Sequence, residues 1–167
     1  MKALRSWVMG LGVPAIVLGL AGCDGNRAQP QQIPVSETSR PAFQEWVLPL
    51  IDQSITKAFP RSLECRGNVD VVTWRYRGKP PGSQVQGWSW NVGAAKPFER
   101  VLFTVDGKIV GGGHGGRDRP DVPKALPEIR SAVTGWEGLT SQIGGTLIAW
   151  GVDPVAGAAC RLGEITL

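Results

Sequence analysis

Arg100-Val101-Leu102-Phe103-Thr104-Val105-Asp106-Gly107-Lys108-Ile109-Val110 is the stretch that decides the fold. Val101, Phe103 and Val105 alternate with their neighbours, so a strand sets them together on one face. Asp106-Gly107 reads as a two-residue hairpin turn, because both central positions tolerate positive φ. Lys108–Val110 is the returning strand. Working outward, Val69–Tyr76 is rich in β-branched and aromatic residues, and Lys79-Pro80-Pro81-Gly82 is a turn signal. Ser83–Val92 alternates, with Trp88, Trp90 and Val92 on one face. Ser131–Trp136 is a weaker strand. Thr146–Val152 alternates again, Asp153-Pro154 begins a turn, and Ala159–Leu167 closes the chain. About seven short strands separated by turns predict a mainly β fold, an antiparallel β-sandwich over residues 63–167.

Upstream, residues 41–60 carry a different period. Phe43, Trp46, Val47, Leu50, Ile55 and Phe59 recur at three- and four-residue spacing, which predicts one amphipathic helix over Pro41–Ala58. Ser39 suits its N-cap and Pro41 its first turn. Pro49 is expected to kink or break it. The opposite face is not rich in Lys and Arg, so packing on the domain's own core is favoured over a place in a membrane interface.

Residues 1–22 read as an export signal. Lys2 and Arg5 precede an apolar run from Trp7 to Leu20, which is too short to span a bilayer and suits a signal-peptide core. The run ends in Leu20-Ala21-Gly22-Cys23, which resembles the lipobox of bacterial lipoproteins. That resemblance implies cleavage before Cys23 and acylation of its thiol with diacylglycerol, usually followed by acylation (palmitate, for instance) of the new amino group. The chain is then expected on a cell-envelope membrane, facing the periplasm or the exterior. Asp24 resembles an inner-membrane retention signal of enteric bacteria, but other lineages read that position differently, so the choice of membrane stays open. Residues 23–40, containing Gln, Pro and Ser with little apolar periodicity, are expected to be a flexible tether.

Three cysteines occur, and the lipobox takes one. Cys65 and Cys160 remain as an even pair in an oxidising compartment, where a disulfide persists. Closing so long a loop contributes roughly 4–5 kcal/mol in the chain-entropy account. The alternative is two buried thiols. The formal net charge is +4, and loss of Lys2 and Arg5 with the signal takes it to +2. No Lys/Arg cluster stands out, so nucleic acid is not an expected partner.

Four short runs resemble an Ig-like bacterial β-sandwich module. They are Gly87-Trp88-Ser89-Trp90-Asn91, Val105-Asp106-Gly107-Lys108, Arg119-Pro120-Asp121-Val122 and Gly135-Trp136. Their order and spacing carry the likeness, which spans Cys65 to Leu167. It implies an accessory or binding unit with no chemistry of its own. Asn91 stands where that module has an acid and Ser89 where it has alanine. The Cys65–Cys160 spacing is too wide for the inter-sheet disulfide of antibody domains.

The chemically suggestive stretch is Gly111-Gly112-Gly113-His114-Gly115-Gly116-Arg117-Asp118-Arg119-Pro120-Asp121. Its backbone amides with Arg117 and Arg119 suit an anion. His114, Asp118 and Asp121 are metal-ligand types. The third reading, which is favoured, is a mobile connection after the hairpin, with Asp121 capping a turn at Val122–Leu126 and Arg119 paired nearby. No Gly-Lys-Ser/Thr follows, so a nucleotide loop is unsupported. A metal site is not expected, with one histidine and no closely spaced cysteine pair. Trp88, Trp90, Trp136 and Trp150 suit either an aromatic platform for sugars or a core, and core filling is favoured. Trp74 follows the opposite pattern and is expected at the surface. A Ser–His–Asp triad would need His114, and no Gly-x-Ser-x-Gly elbow occurs. Acids are present, but nothing marks a glycosidase pair. The expectation is a non-enzymatic binding or scaffold module without cofactor. The candidate ligand contacts are Trp74, His114, Arg117, Arg119 and Asp121, and the candidate partners are an envelope protein or a glycan.

Overall fold

The structure is a computed structural model that describes residues 32–167. The signal, the lipobox with Cys23, and the first part of the tether lie outside the described residues. The described chain is mainly β and sandwich-like. Its long strands are β3 (Cys65–Tyr76), β4 (Gly82–Asn91), β5 (Arg100–Val105), β6 (Lys108–Arg117), β7 (Gly135–Thr140), β8 (Thr146–Asp153) and β9 (Ala158–Thr166). Two short strands, β1 (Val35–Ser36) and β2 (Arg61–Ser62), lie at the edges. All nine form one sheet in the order β1-β3-β4-β7-β6-β5-β8-β9-β2. The seven long strands run antiparallel to their neighbours, and β1 and β2 add in parallel.

The sheet curls until β3 lies against β9, so its two halves act as facing layers. The Cys65–Cys160 disulfide joins these two strands, with Cα atoms 6.2 Å apart. Val69, Val85, Val101, Phe103, Trp136, Leu147 and Leu162 fill the space inside. The hairpin expected at Asp106-Gly107 is present, with φ of 50° and 75°.

Several expectations change. The helix expected over 41–60 is instead a 3-10 turn at Leu48–Leu50 and a four-residue helix, α1 (Ile55–Ala58). Pro49 sits in the 3-10 turn, and Asp52 takes a left-handed φ of 64°. Between the two turns, which keep their local bonds, the backbone at Asp52 and Gln53 bonds to β6. Asp52 N donates to Ile109 O (2.9 Å), and Ile109 N donates to Gln53 O (2.9 Å). The apolar face nevertheless does what its period implied. Phe43, Trp46, Val47, Leu50, Ile55 and Phe59 pack on Leu102, Ile109, Trp150 and Val152, on the outer face of the sheet.

The tether assigned to 23–40 also ends earlier. Val35 and Ser36 pair with Arg75 and Tyr76, and Arg40 N donates to Pro80 O (2.8 Å). These bonds run through backbone groups, which hydropathy patterns do not report.

The Gly-rich stretch is not a mobile connection, because β6 continues through it to Arg117. A Cβ at Gly111 or Gly113 would collide with the carbonyls of Leu139 and Glu137 on β7. Glycine is needed there for close approach, and the missing side chains erase the alternation that signals a strand. The strand expected at Ser131–Trp136 lies instead at Gly135–Thr140. Gly138 hides its pattern, because the Phe103 ring occupies the space its side chain would take, 2.6 Å from a Cβ.

A second segment covers the outer face at β4. It comprises α2 (Asp121–Ala125) and the chain to Ile129, and it packs Val122, Leu126 and Ile129 on Trp88 and Trp90. No helix among the described residues is long and apolar enough to cross a membrane.

Candidate functional site

Between the two covering segments a strip of the outer sheet face stays open. Residues directly opposite one another on antiparallel strands share a face. One row therefore runs Trp74, Gln84, Leu139, Gly112, and the next runs Gln86, Glu137, His114, Arg100. The rows form the floor of a trough. Pro41–Gln44 walls it on one side, over an open pocket of about 200 Å³.

The polar groups in this trough are tied to one another. Gln86 Nε2 donates to Glu137 Oε2 (2.7 Å), and Arg117 Nη2 donates to Glu137 Oε1. Tyr76 Oη donates to Gln84 Oε1 (3.0 Å). Partial burial works to raise the Glu137 carboxyl. The hydrogen bonds from Gln86 and Arg117, with the Arg117 charge, outweigh that and hold it below its ordinary range.

The histidine is fixed from the other side. Trp46 Nε1 donates to Gln44 Oε1 (2.6 Å), which orients the amide so that Gln44 Nε2 donates to His114 Nδ1 (2.6 Å). With Nδ1 accepting, the ring nitrogen left to donate is Nε2. Arg100 lies over the Trp46 ring at 5.0 Å, and Arg40 over the Phe43 ring at 3.7 Å. The Arg40 guanidinium donates to the carbonyls of Pro41 and Pro81, and burial lowers its pKa.

The residues singled out from the sequence divide into two groups. Trp74, His114 and Arg117 come to the trough, and Trp74 is 43% exposed. Arg119 and Asp121 do not. Arg119 bonds both oxygens of Asp121 (2.9 and 2.7 Å) and also Asp70 of β3. The pairing raises the Arg119 pKa, chiefly through the hydrogen bond to Asp121, and the same bond holds the Asp121 carboxyl at about 2. This cluster fastens the second covering segment to the sheet. The cap of α2 is Pro120, not Asp121.

The Gly-rich run is sheet rather than an open loop. Gly111–His114 pair with β5 on one side and β7 on the other, and Gly115 N donates to Glu99 O (3.0 Å), so the amides are not presented to an anion. No group of three His, Cys, Asp or Glu among the described residues is placed to hold a metal, so His114, Asp118 and Asp121 do not converge. Trp88, Trp90, Trp136 and Trp150 pack in three separate apolar clusters rather than forming one platform.

Gln84, Gln86, Glu137 and Tyr76 were not singled out in advance. A signal existed for two of them: Gln84 and Gln86 share the parity of Trp88 and Trp90, so they had to lie on the same face. Comparison with protein-family profiles, curated proteins and solved structures matches nothing to this chain.

Proposed function

We propose that this chain is a lipid-anchored, non-catalytic binding module of the bacterial cell envelope, with the trough as its contact surface. The observation that carries the binding half is the state of Glu137. It is the one carboxylate on the trough floor, and Gln86 and Arg117 keep it ionised. A general acid needs a raised pKa, and a glycosidase needs a second carboxyl at a set distance. A paired, ionised carboxylate among amides suits recognition instead. The anchoring half rests on Leu20-Ala21-Gly22-Cys23 and on the Cys65–Cys160 bridge, which suits an oxidising compartment.

Two measurements test the two halves. Intact mass of the protein from its native membrane is expected to show acyl chains on Cys23, and Cys23→Ser is expected to leave the membrane fraction. Normal fractionation of Cys23→Ser, with no lipid mass on the parent, removes the anchor. Crosslinking in the native envelope is expected to capture a partner or glycan that Glu137→Gln releases. Turnover of envelope substrates that Glu137→Gln or His114→Ala abolishes would replace binding with catalysis.

A further inference from the structure

We infer that the trough takes a neutral, hydroxyl-rich glycan chain, laid across the strands from Trp74 to His114. This rests on the binding reading above and narrows it to one chemistry.

The pairing of charges favours a neutral ligand over an anion. An anion site needs an unmatched cation or backbone amides aimed at it. Arg117 is matched by Glu137. Arg40 is turned to two carbonyls and the Phe43 ring, and Arg100, at the end of the row beyond His114, lies over the Trp46 ring. His114 Nδ1 accepts from Gln44, and the backbone of Gly111–Gly113 and Gly115 is paired in the sheet.

Hydrogen-bond capacity points to hydroxyls. A carboxylate offers about four acceptor positions, and Glu137 receives its two strong bonds from Gln86 and Arg117. His114 supplies an Nε2 donor, and Arg117 has further N–H groups beyond the one it gives Glu137. Donors and acceptors thus lie side by side on the floor, and each sugar hydroxyl both donates and accepts. The side chains are held by one another, so little ordering cost accompanies binding.

Shape agrees. Trp74 stands one strand beyond Gln84 in the same row, 43% exposed as a residue and outside all three apolar clusters. An indole face is a large, stiff apolar surface that suits the C–H face of a sugar ring. From β3 to β6 the strip covers three strand spacings, about 14 Å. That is room for an oligosaccharide rather than one ring.

The test is calorimetric titration of the mature lipidated protein in detergent with chitotetraose, cellotetraose and maltotetraose, and separately with inorganic phosphate and sulfate. At least one neutral tetrasaccharide is expected to bind, with affinity unchanged by raising the salt. Trp74→Ala is expected to weaken it by about tenfold, the equivalent of losing one aromatic contact. Glu137→Gln, which keeps the shape and drops the charge, is expected to weaken it by about fivefold or more. Phosphate and sulfate are expected to give no heat. Silence from all three sugars overturns the inference. So does salt-sensitive binding of phosphate or sulfate, or sugar binding indifferent to both substitutions. If the sugars are silent while an envelope protein still crosslinks at the trough, the glycan falls and the binding module stands.

Discussion

The segment from Phe43 to Phe59 and the segment from Pro120 to Ile129 both lie on the outer face of the sheet, and different forces hold them. The first is seated by apolar side chains on Leu102, Ile109 and Val152, and by backbone bonds between Asp52, Gln53 and Ile109. The second buries a smaller cluster, Val122 and Ile129 on Trp90, and is fastened by Arg119 to Asp70 and Asp121 and by Arg66 to Glu128. Apolar burial is indifferent to salt and pH, whereas ion pairs respond to both. The first segment therefore belongs to the cooperative fold, and the second is a latch. The trough lies between them, so one wall is rigid and the end near Arg117 adjoins the responsive element.

The largest effect belongs to the first segment. Leu102→Ala, which opens a cavity beneath it, is expected to cost about 2–5 kcal/mol in denaturant unfolding. A loss under about 1 kcal/mol would mean that this segment is not part of the core. Next comes the latch. Arg119→Ala is expected to cost about 1–2 kcal/mol, between the values for exposed and buried pairs, and to speed hydrogen exchange at Leu126 and Ile129 far more than at Asp52. Equal acceleration in both places would erase the distinction.

Acid should separate the two segments without any substitution. The Asp121 carboxyl falls from 3.8 to about 2 on folding, so the folded chain binds that proton less readily than the unfolded one. Its contribution is whole above pH 3.8 and is lost as the pH falls through about 2. Exchange at Leu126 should quicken across that window while the Asp52 amide stays protected. The smallest effect is expected from Gln44→Ala, under about 1 kcal/mol, because the bond to His114 is exposed. Its readout is the loss of a single ring tautomer in the nitrogen NMR signals of His114.

Much of the framework was legible in the chain. Strands with side chains on both faces announced themselves through alternation, as in Val101, Phe103 and Val105. The legible part of the site was smaller. Trp74, His114 and Arg117 could be singled out by residue type, but their being neighbours depends on the pairing of β4 with β7, strands far apart in sequence. Arg119 and Asp121 have the same composition signal and went to the latch instead. Residue type does not distinguish a group that faces a ligand from one that faces a counter-charge.

Local chemistry settled the Asp106-Gly107 hairpin and the apolar period of residues 43–59. Each depends on residues close in sequence. Tertiary structure decided that Gly111–Gly115 is strand, that residues 41–60 wrap rather than coil into one helix, and that a polar strip stays uncovered. Those outcomes were set by partners across the sheet: the β7 carbonyls that leave no room for a Cβ, and the Ile109 backbone that takes the bonds a helix would have kept.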